Sequence, residues 1–247
     1  MKASDHSDAT VAENLIRELG DAHKEVQRRA IDELAAMAAA GNPGVTEKLR
    51  DSIASADRRV RWAAAYALAQ IGADAFAMDS ADALCEAMGD DDGDIRWAAT
   101  NLMVRLGREN LPEISARLLQ LAAGADRNAR KMALYCIRDL EIAGPELLAV
   151  VERAVHDSDV HVRLAALAVL SRVRDATAEA VRIMLECLKS DPDAGVRRAA
   201  ASALGNTTSA DATAALESAA ANRTDESLAR AARGALDRLE KFRLERR

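Results

Sequence analysis

The sequence predicts an all-α chain, a solenoid of about seven helix pairs. The first observation behind this is a repeat. The stretches "DRRVRWAAAYALAQIG" (57–72), "DGDIRWAATNLMVRLG" (92–107), "DRNARKMALYCIRDLE" (126–141), "DVHVRLAALAVLSRVR" (159–174) and "DAGVRRAAASALGNTT" (193–208) share one pattern. "HKEVQRRAIDELAAMA" (23–38) and "DESLARAARGALDRLE" (225–240) are weaker copies at either end. Their apolar anchors, Val26, Val60, Ile95, Ala129, Val162, Val196 and Leu228, are separated by 34, 35, 34, 33, 34 and 32 residues. So regular a period marks stacked supersecondary units. The second observation is periodicity: within each copy the apolar residues recur at helical spacing, as Val60, Ala63, Ala64, Ala67, Leu68 and Ile71 do. The third is composition, with only 12 Gly and 4 Pro in 247 residues to interrupt helices.

Each unit reads as a first helix, A, and a second, B. The A helices fall on "VAENLIREL", "VTEKLRDSI", "SADALCEAM", "PEISARLLQLA", "PELLAVVERAV", "AEAVRIMLECL" and "ATAALESAA". The seven repeats span about 9–40, 45–73, 80–108, 112–142, 145–174, 177–206 and 211–247 of a single domain, 1–247. Acidic turns such as "GDDDGD" and "SDPDAG" join A to B. Asp57, Asp92, Asp126, Asp159, Asp193 and Asp225 stand where a B helix needs an N-cap. A carboxylate there accepts orphan backbone N–H groups and complements the helix dipole. The arginine after the anchor, Arg61, Arg96, Arg130, Arg163 or Arg197, is expected to bridge to the Asp of a neighbouring repeat, forming a ladder. Alanine pairs such as Ala63–Ala64 and Ala98–Ala99 allow close helix approach. The end repeats depart from the pattern, with His23 for the capping Asp, and Gln27 and Ala229 for the arginine. A terminal unit has a neighbour on one side only.

The pattern "DxxVRxAAAxAL" at a period near 34 resembles the HEAT repeat, and more narrowly the short HEAT-like type of the phycobilisome-lyase kind. The resemblance covers about residues 9–245. It implies a right-handed α-solenoid of about seven HEAT-like helix pairs whose concave surface is lined by the second helix of each pair. The tetratricopeptide and ankyrin patterns are absent.

Composition bounds the function. The formal net charge is −6 and the sequence pI about 5.4, which disfavours bulk electrostatic binding of nucleic acid. Residues 228–247 carry seven Lys/Arg against three Asp/Glu, read as a polar cap or a basic docking tail. Cys85, Cys136 and Cys187 form no CxxC and read as small buried thiols. "MKASDHSDAT" has no apolar core of a secretory signal, and no apolar run reaches a membrane span, so the expectation is a cytoplasmic chain with no membrane partner.

No nucleophile elbow, Walker loop, GxGxxG or His-Glu-x-x-His motif occurs, so no catalytic residue and no cofactor are assigned. HEAT-like deoxyhypusine hydroxylases hold a di-iron centre through His-Glu pairs, and no histidine here precedes a glutamate. His156, Asp157, Asp159 and His161 cluster in "VHDSDVHV", which reads as a solvated capping turn rather than a metal site.

The informative residues are those the repeat does not require. Counted from each anchor, positions +2, +6 and +9 point away from the core. Position +2 holds Arg28, Trp62, Trp97, Lys131, Leu164, Arg198 and Arg230; position +6 holds Asp32, Tyr66, Asn101, Tyr135, Ala168, Ser202 and Gly234. Every Trp and Tyr falls in these columns, in repeats 2 to 4, with Arg105, Arg138 and Arg172 beside them. The aromatics either fill space between repeats or form a binding surface, and their coincidence in two columns favours the surface. The expected site is therefore Trp62, Tyr66, Trp97, Asn101, Arg105, Lys131, Tyr135 and Arg138, taking a partner protein in the groove. On this reading the chain is a non-catalytic interaction scaffold or adaptor. Two alternatives stand beside it. One is a DNA alkylation-repair type of nucleic-acid protein, with Trp97 and Asn101 a turn apart and Asp32 and Asp139 near the groove. The other is a bilin-lyase type of subunit, with Arg105, Lys131 and Arg138 pairing with the propionates of a tetrapyrrole.

Overall fold

A computed structural model describes residues 2–42, 44–72, 78–172 and 177–245. Among these there are fourteen α-helices and no strand. The A helices are α1 (Lys2–Glu18), α3 (Val45–Ile53), α5 (Met78–Ala87), α7 (Leu111–Ala122), α9 (Pro145–Val155), α11 (Ala178–Ser190) and α13 (Ala210–Ala220). The B helices are α2 (Lys24–Ala39), α4 (Arg58–Ile71), α6 (Gly93–Glu109), α8 (Arg127–Asp139), α10 (Val160–Leu170), α12 (Ala194–Leu204) and α14 (Glu226–Glu245). Side chains of the basic stretch from residue 242 onward lie outside the described residues.

The start of each B helix follows from its cap. The Asp57, Asp92, Asp126, Asp159 and Asp193 carboxylates each accept a backbone N–H from the first turn, at extended backbone angles. Asp225 accepts from Leu228 N–H in the same way. His23 caps nothing with its ring, which bonds Asp21 instead. Helix α8 ends in a Schellman turn, where Ile142 N–H reaches the Ile137 carbonyl. Glu141 there takes φ 52, a conformation that favours glycine.

The chain forms two compact units, Met1–Ile114 and Ser115–Arg247. In the first, α4 packs on α2, α3, α5 and α6. In the second, α10 packs on α8, α9 and α12, and α12 on α11 and α14. Both cores are built largely of alanine and leucine, for example Ala63, Ala64, Ala67 and Leu68, and Ala200, Ala201 and Leu204, all essentially inaccessible. Small residues bring backbones close: a Cβ added at Gly205 would lie 2.8 Å from both Cα and Cβ of Ala235. The anchors Ala129, Val162, Val196 and Leu228 are buried, whereas Val26, Val60 and Ile95 are half-buried.

Arg61, Arg130, Arg163 and Arg197 form a ladder, the first three with different carboxylates from those expected, while Arg96, also expected in it, is bonded to the Asp90 carbonyl of its own turn. Arg130 pairs with Asp157 at 2.7 Å and Arg163 with Asp191 at 2.9 Å, each through two guanidinium nitrogens. These acids stand two residues before the caps Asp159 and Asp193, whose N–H groups they also accept. The caps Asp159 and Asp193 each spend one oxygen on their own helix. Arg61 meets Glu86, on the next A helix, and only Arg197 meets a cap, Asp225. Every arginine of the column also donates to carbonyls of its own A–B turn: Arg61 to Ser55 and Ala56, Arg96 to Asp90, Arg130 to Gly124 and Ala125, Arg163 to Asp157 and Ser158, and Arg197 to Asp191 and Pro192. Gln27 does the equivalent in the first repeat, bonding the Leu19 carbonyl. Burial alone would raise the Asp157 carboxyl, but the Arg130 guanidinium and the Asp159 N–H together hold it below the ordinary carboxylate range.

Candidate functional site

Trp62 and Tyr66 sit one turn apart on α4, so their rings meet edge to face, with centroids 5.5 Å apart and planes at 81°. The pair forms part of a cleft of about 140 Å³ in the Met1–Ile114 unit. Helix α2 contributes Lys24, Gln27, Arg28, Ile31 and Asp32, and α6 contributes Asp94, Ile95 and Ala98.

Position +2 was expected to face away from the core, yet Trp62 is only 8 % exposed. It lies between α2 and α6, whose Gln27, Ile31, Ile95 and Ala98 line the same cleft. Lys24, in the first repeat, reaches Asp92 at 2.6 Å and Asp94 at 3.0 Å, in the third. Lys24 thus forms a strap from α2 to the start of α6. Lys24 is held charged by the hydrogen bonds it donates to Asp92 and Asp94, and Asp92 falls below its ordinary range chiefly through its bond with Lys24. Burial has a polar cost: Trp62 Nε1 is the one buried side-chain nitrogen or oxygen without a hydrogen-bond partner among the described residues.

The other groups of the cleft differ in how they are engaged. Lys24 and Asp94 neutralise one another, and the Gln27 amide is spent on Leu19. Arg28 and Asp32 are exposed, one turn apart on α2, and neither forms an ion pair or hydrogen bond among the described residues. Sequence reasoning set Arg28 and Asp32 in the outward columns without assigning them to the site, and missed Lys24, Ile31, Asp94 and Ile95. The signal for Lys24 was its charge, opposite to the acidic "GDDDGD" turn two repeats later.

The remaining expected residues spread further. Trp97 is the most exposed large apolar side chain described, at 51 %, and Asn101 is exposed one turn along α6. Arg105 donates to the Ala69 carbonyl. In the Ser115–Arg247 unit, Lys131 and Tyr135 are half-buried on α8. Arg138 lies over the Tyr135 ring at 5.1 Å and pairs with Asp139, which raises its pKa. The structure therefore brings Trp62 and Tyr66 into one cleft and places Lys131, Tyr135 and Arg138 in the other unit.

In the histidine turn, Asp157 holds Arg130, Asp159 caps α10, and His156 lies 3.9 Å from Glu186. Among the described residues no three His, Cys, Asp or Glu converge as metal ligands. Cys136 and Cys187 are buried; burial pushes the Cys85 and Cys187 thiols up to about 11. None of the described helices is long and apolar enough to cross a membrane.

Capped B helices, the arginine ladder and a period near 34 define an array of HEAT-like helix pairs. A family model described as HEAT repeats matches residues 12–104, 115–194 and 176–237, and the chain belongs to the HEAT-repeat family. No curated protein sequence matches it. Among solved structures it is similar to the archaeal HEAT-like repeats protein from Thermococcus onnurineus NA1, at 11 % identity and TM-score 0.55, over 93 % of this chain and 97 % of that one. It is also similar to the E. coli protein YibA, at 16 % identity and TM-score 0.57, over 92 % of each chain. An engineered protein matches at 21 % identity and TM-score 0.50, over 92 % of this chain and 68 % of that one. At these identities the likeness concerns the fold.

Proposed function

We propose that this chain is a non-catalytic interaction scaffold that holds a partner protein against the α2, α4 and α6 face. The observation that carries this reading is the cleft, where an aromatic pair and two isoleucines lie beside an uncommitted cation and an uncommitted carboxylate. An apolar floor with a charged rim is the usual make-up of a protein-docking site. Trp97 is exposed on α6, the helix that also brings Asp94, Ile95 and Ala98 to the cleft, and supports the reading as an apolar side chain open to a partner. The nucleic-acid reading draws on Asp32 beside Trp62, but the lining balances Lys24 and Arg28 against Asp32 and Asp94, leaving no excess positive charge for phosphates. The tetrapyrrole reading needs free cations, and Arg105 and Arg138 are already bonded to Ala69 and Asp139.

Affinity capture from the native host, with wild type and Trp97→Ala in parallel, tests this. A protein retained by wild type is expected to bind Trp97→Ala more weakly by about 2 kcal/mol, roughly 30-fold, with far-ultraviolet dichroism unchanged. Equal retention by both forms, salt-sensitive DNA, or a visible pigment band would each overturn the reading.

A further inference from the structure

The rim of the cleft carries one uncommitted charge of each sign, spaced as a helix spaces its own residues. Arg28 and Asp32 lie four apart on α2, both exposed and both without a partner among the described residues. Residues four apart on a helix share a face and sit one turn from each other. A second helix laid alongside α2 therefore matches this pair with one acid and one base of its own, also four apart. Lys24 is engaged by Asp92 and Asp94, a trio with one net negative charge, and so offers no free cation to the partner. Beside the pair, Ile31, Ile95, Trp62 and Tyr66 line a space of about 140 Å³. A water occupies about 30 Å³ of liquid, so this space suits one apolar side chain rather than a whole helix.

From this juxtaposition we infer that the cleft seats one helix of a partner protein, whose leucine- or methionine-sized side chain enters beside Trp62 and Tyr66 while an acid and a base four residues apart face Arg28 and Asp32. The inference rests on the face being a protein-docking surface and adds the chemistry of what docks there. A purely acidic helix meets Asp32, and a purely basic one meets Arg28, so each forfeits one attraction and gains one repulsion.

Three fluorescein-labelled, alanine-based helical peptides serve as probes for anisotropy titration against the full chain. Each carries a leucine at i+3, with Glu/Lys, Glu/Glu or Lys/Lys at i and i+4. Wild type is expected to bind the mixed peptide about fivefold more tightly than either of the others, the size of an exposed ion pair. Asp32→Arg is expected to prefer the Glu/Glu peptide and Arg28→Glu the Lys/Lys peptide. Both positions are exposed, and far-ultraviolet dichroism checks that each variant keeps its fold. The same peptide ranking for all three proteins, or no saturable binding of any peptide, overturns the inference. If the captured partner still depends on Trp97 in that event, the scaffold reading stands and only the charge assignment falls.

Discussion

At the scale of the residue, Glu141 stands out in the described backbone as a non-glycine side chain at positive φ. It holds the Schellman position after α8 because the turn must return the chain toward Pro145 and the start of α9. A side chain with a Cβ costs roughly 1 kcal/mol there. Glu141→Gly is expected to raise stability by about that amount and the melting temperature by a few degrees, measured by calorimetry; a lower melting temperature would show that the glutamate side chain earns its place. Trp62 illustrates the limit of residue-by-residue reading. Its position in the repeat was legible, and its outward direction followed from 100° steps along α4. Its burial was not legible, because the side chains that line its cleft come from α2 and α6, in the first and third repeats.

The scale of the element is where the sequence was most readable. An aspartate, three residues to an anchor, then arginine placed the starts of the five inner B helices within a residue, because capping and dipole complementarity are local. The arginine's partner was less legible. A period gives the spacing of repeats but not which of two acids, two residues apart, turns toward the neighbour. Among these contacts burial decides the energetics. Arg163 and Asp191 side chains are 11 % and 5 % exposed, whereas Arg182, with Glu152, Glu179 and Glu186 around it, is 48 % exposed. Arg163→Met strands a buried carboxylate and is expected to cost about 3 kcal/mol in urea unfolding. Arg182→Met, with more ion pairs to lose, is expected to move the urea midpoint far less, since water screens them. Equal shifts for the two would contradict the ranking.

Across the whole molecule, the ladder makes stability depend on pH. Glu86 is held low by the bond from Arg61, Asp92 by the bond from Lys24, and Asp157 by Arg130 against the effect of burial. A carboxyl depressed on folding contributes stability above its unfolded value, about 4, and loses it as pH falls through the lower folded value. The melting temperature is therefore expected to change little between pH 7 and about 5 and to fall steeply below about 4. Arg130→Met is expected to flatten that fall, because Asp157 then loses its reason to stay ionised; an unchanged slope would remove Asp157 from the account. The fold class was legible at this scale because a repeat states itself seven times. The cleft was not, because it arises where three repeats meet and no single repeat encodes it.

The Lys24 strap also sets an order of events. Most described side-chain bonds join residues within about one repeat of each other, and a repeat array assembles by such neighbour contacts. The bond from Lys24 to Asp94 spans 70 residues and bypasses the second repeat. It needs α2 and α6 both in place, and its loop is about twice as long as those the neighbour contacts close. In Trp97→Phe, where emission comes from Trp62 alone, the emission change on refolding is expected to lag behind the growth of helix, making the cleft a clock for completion of its unit.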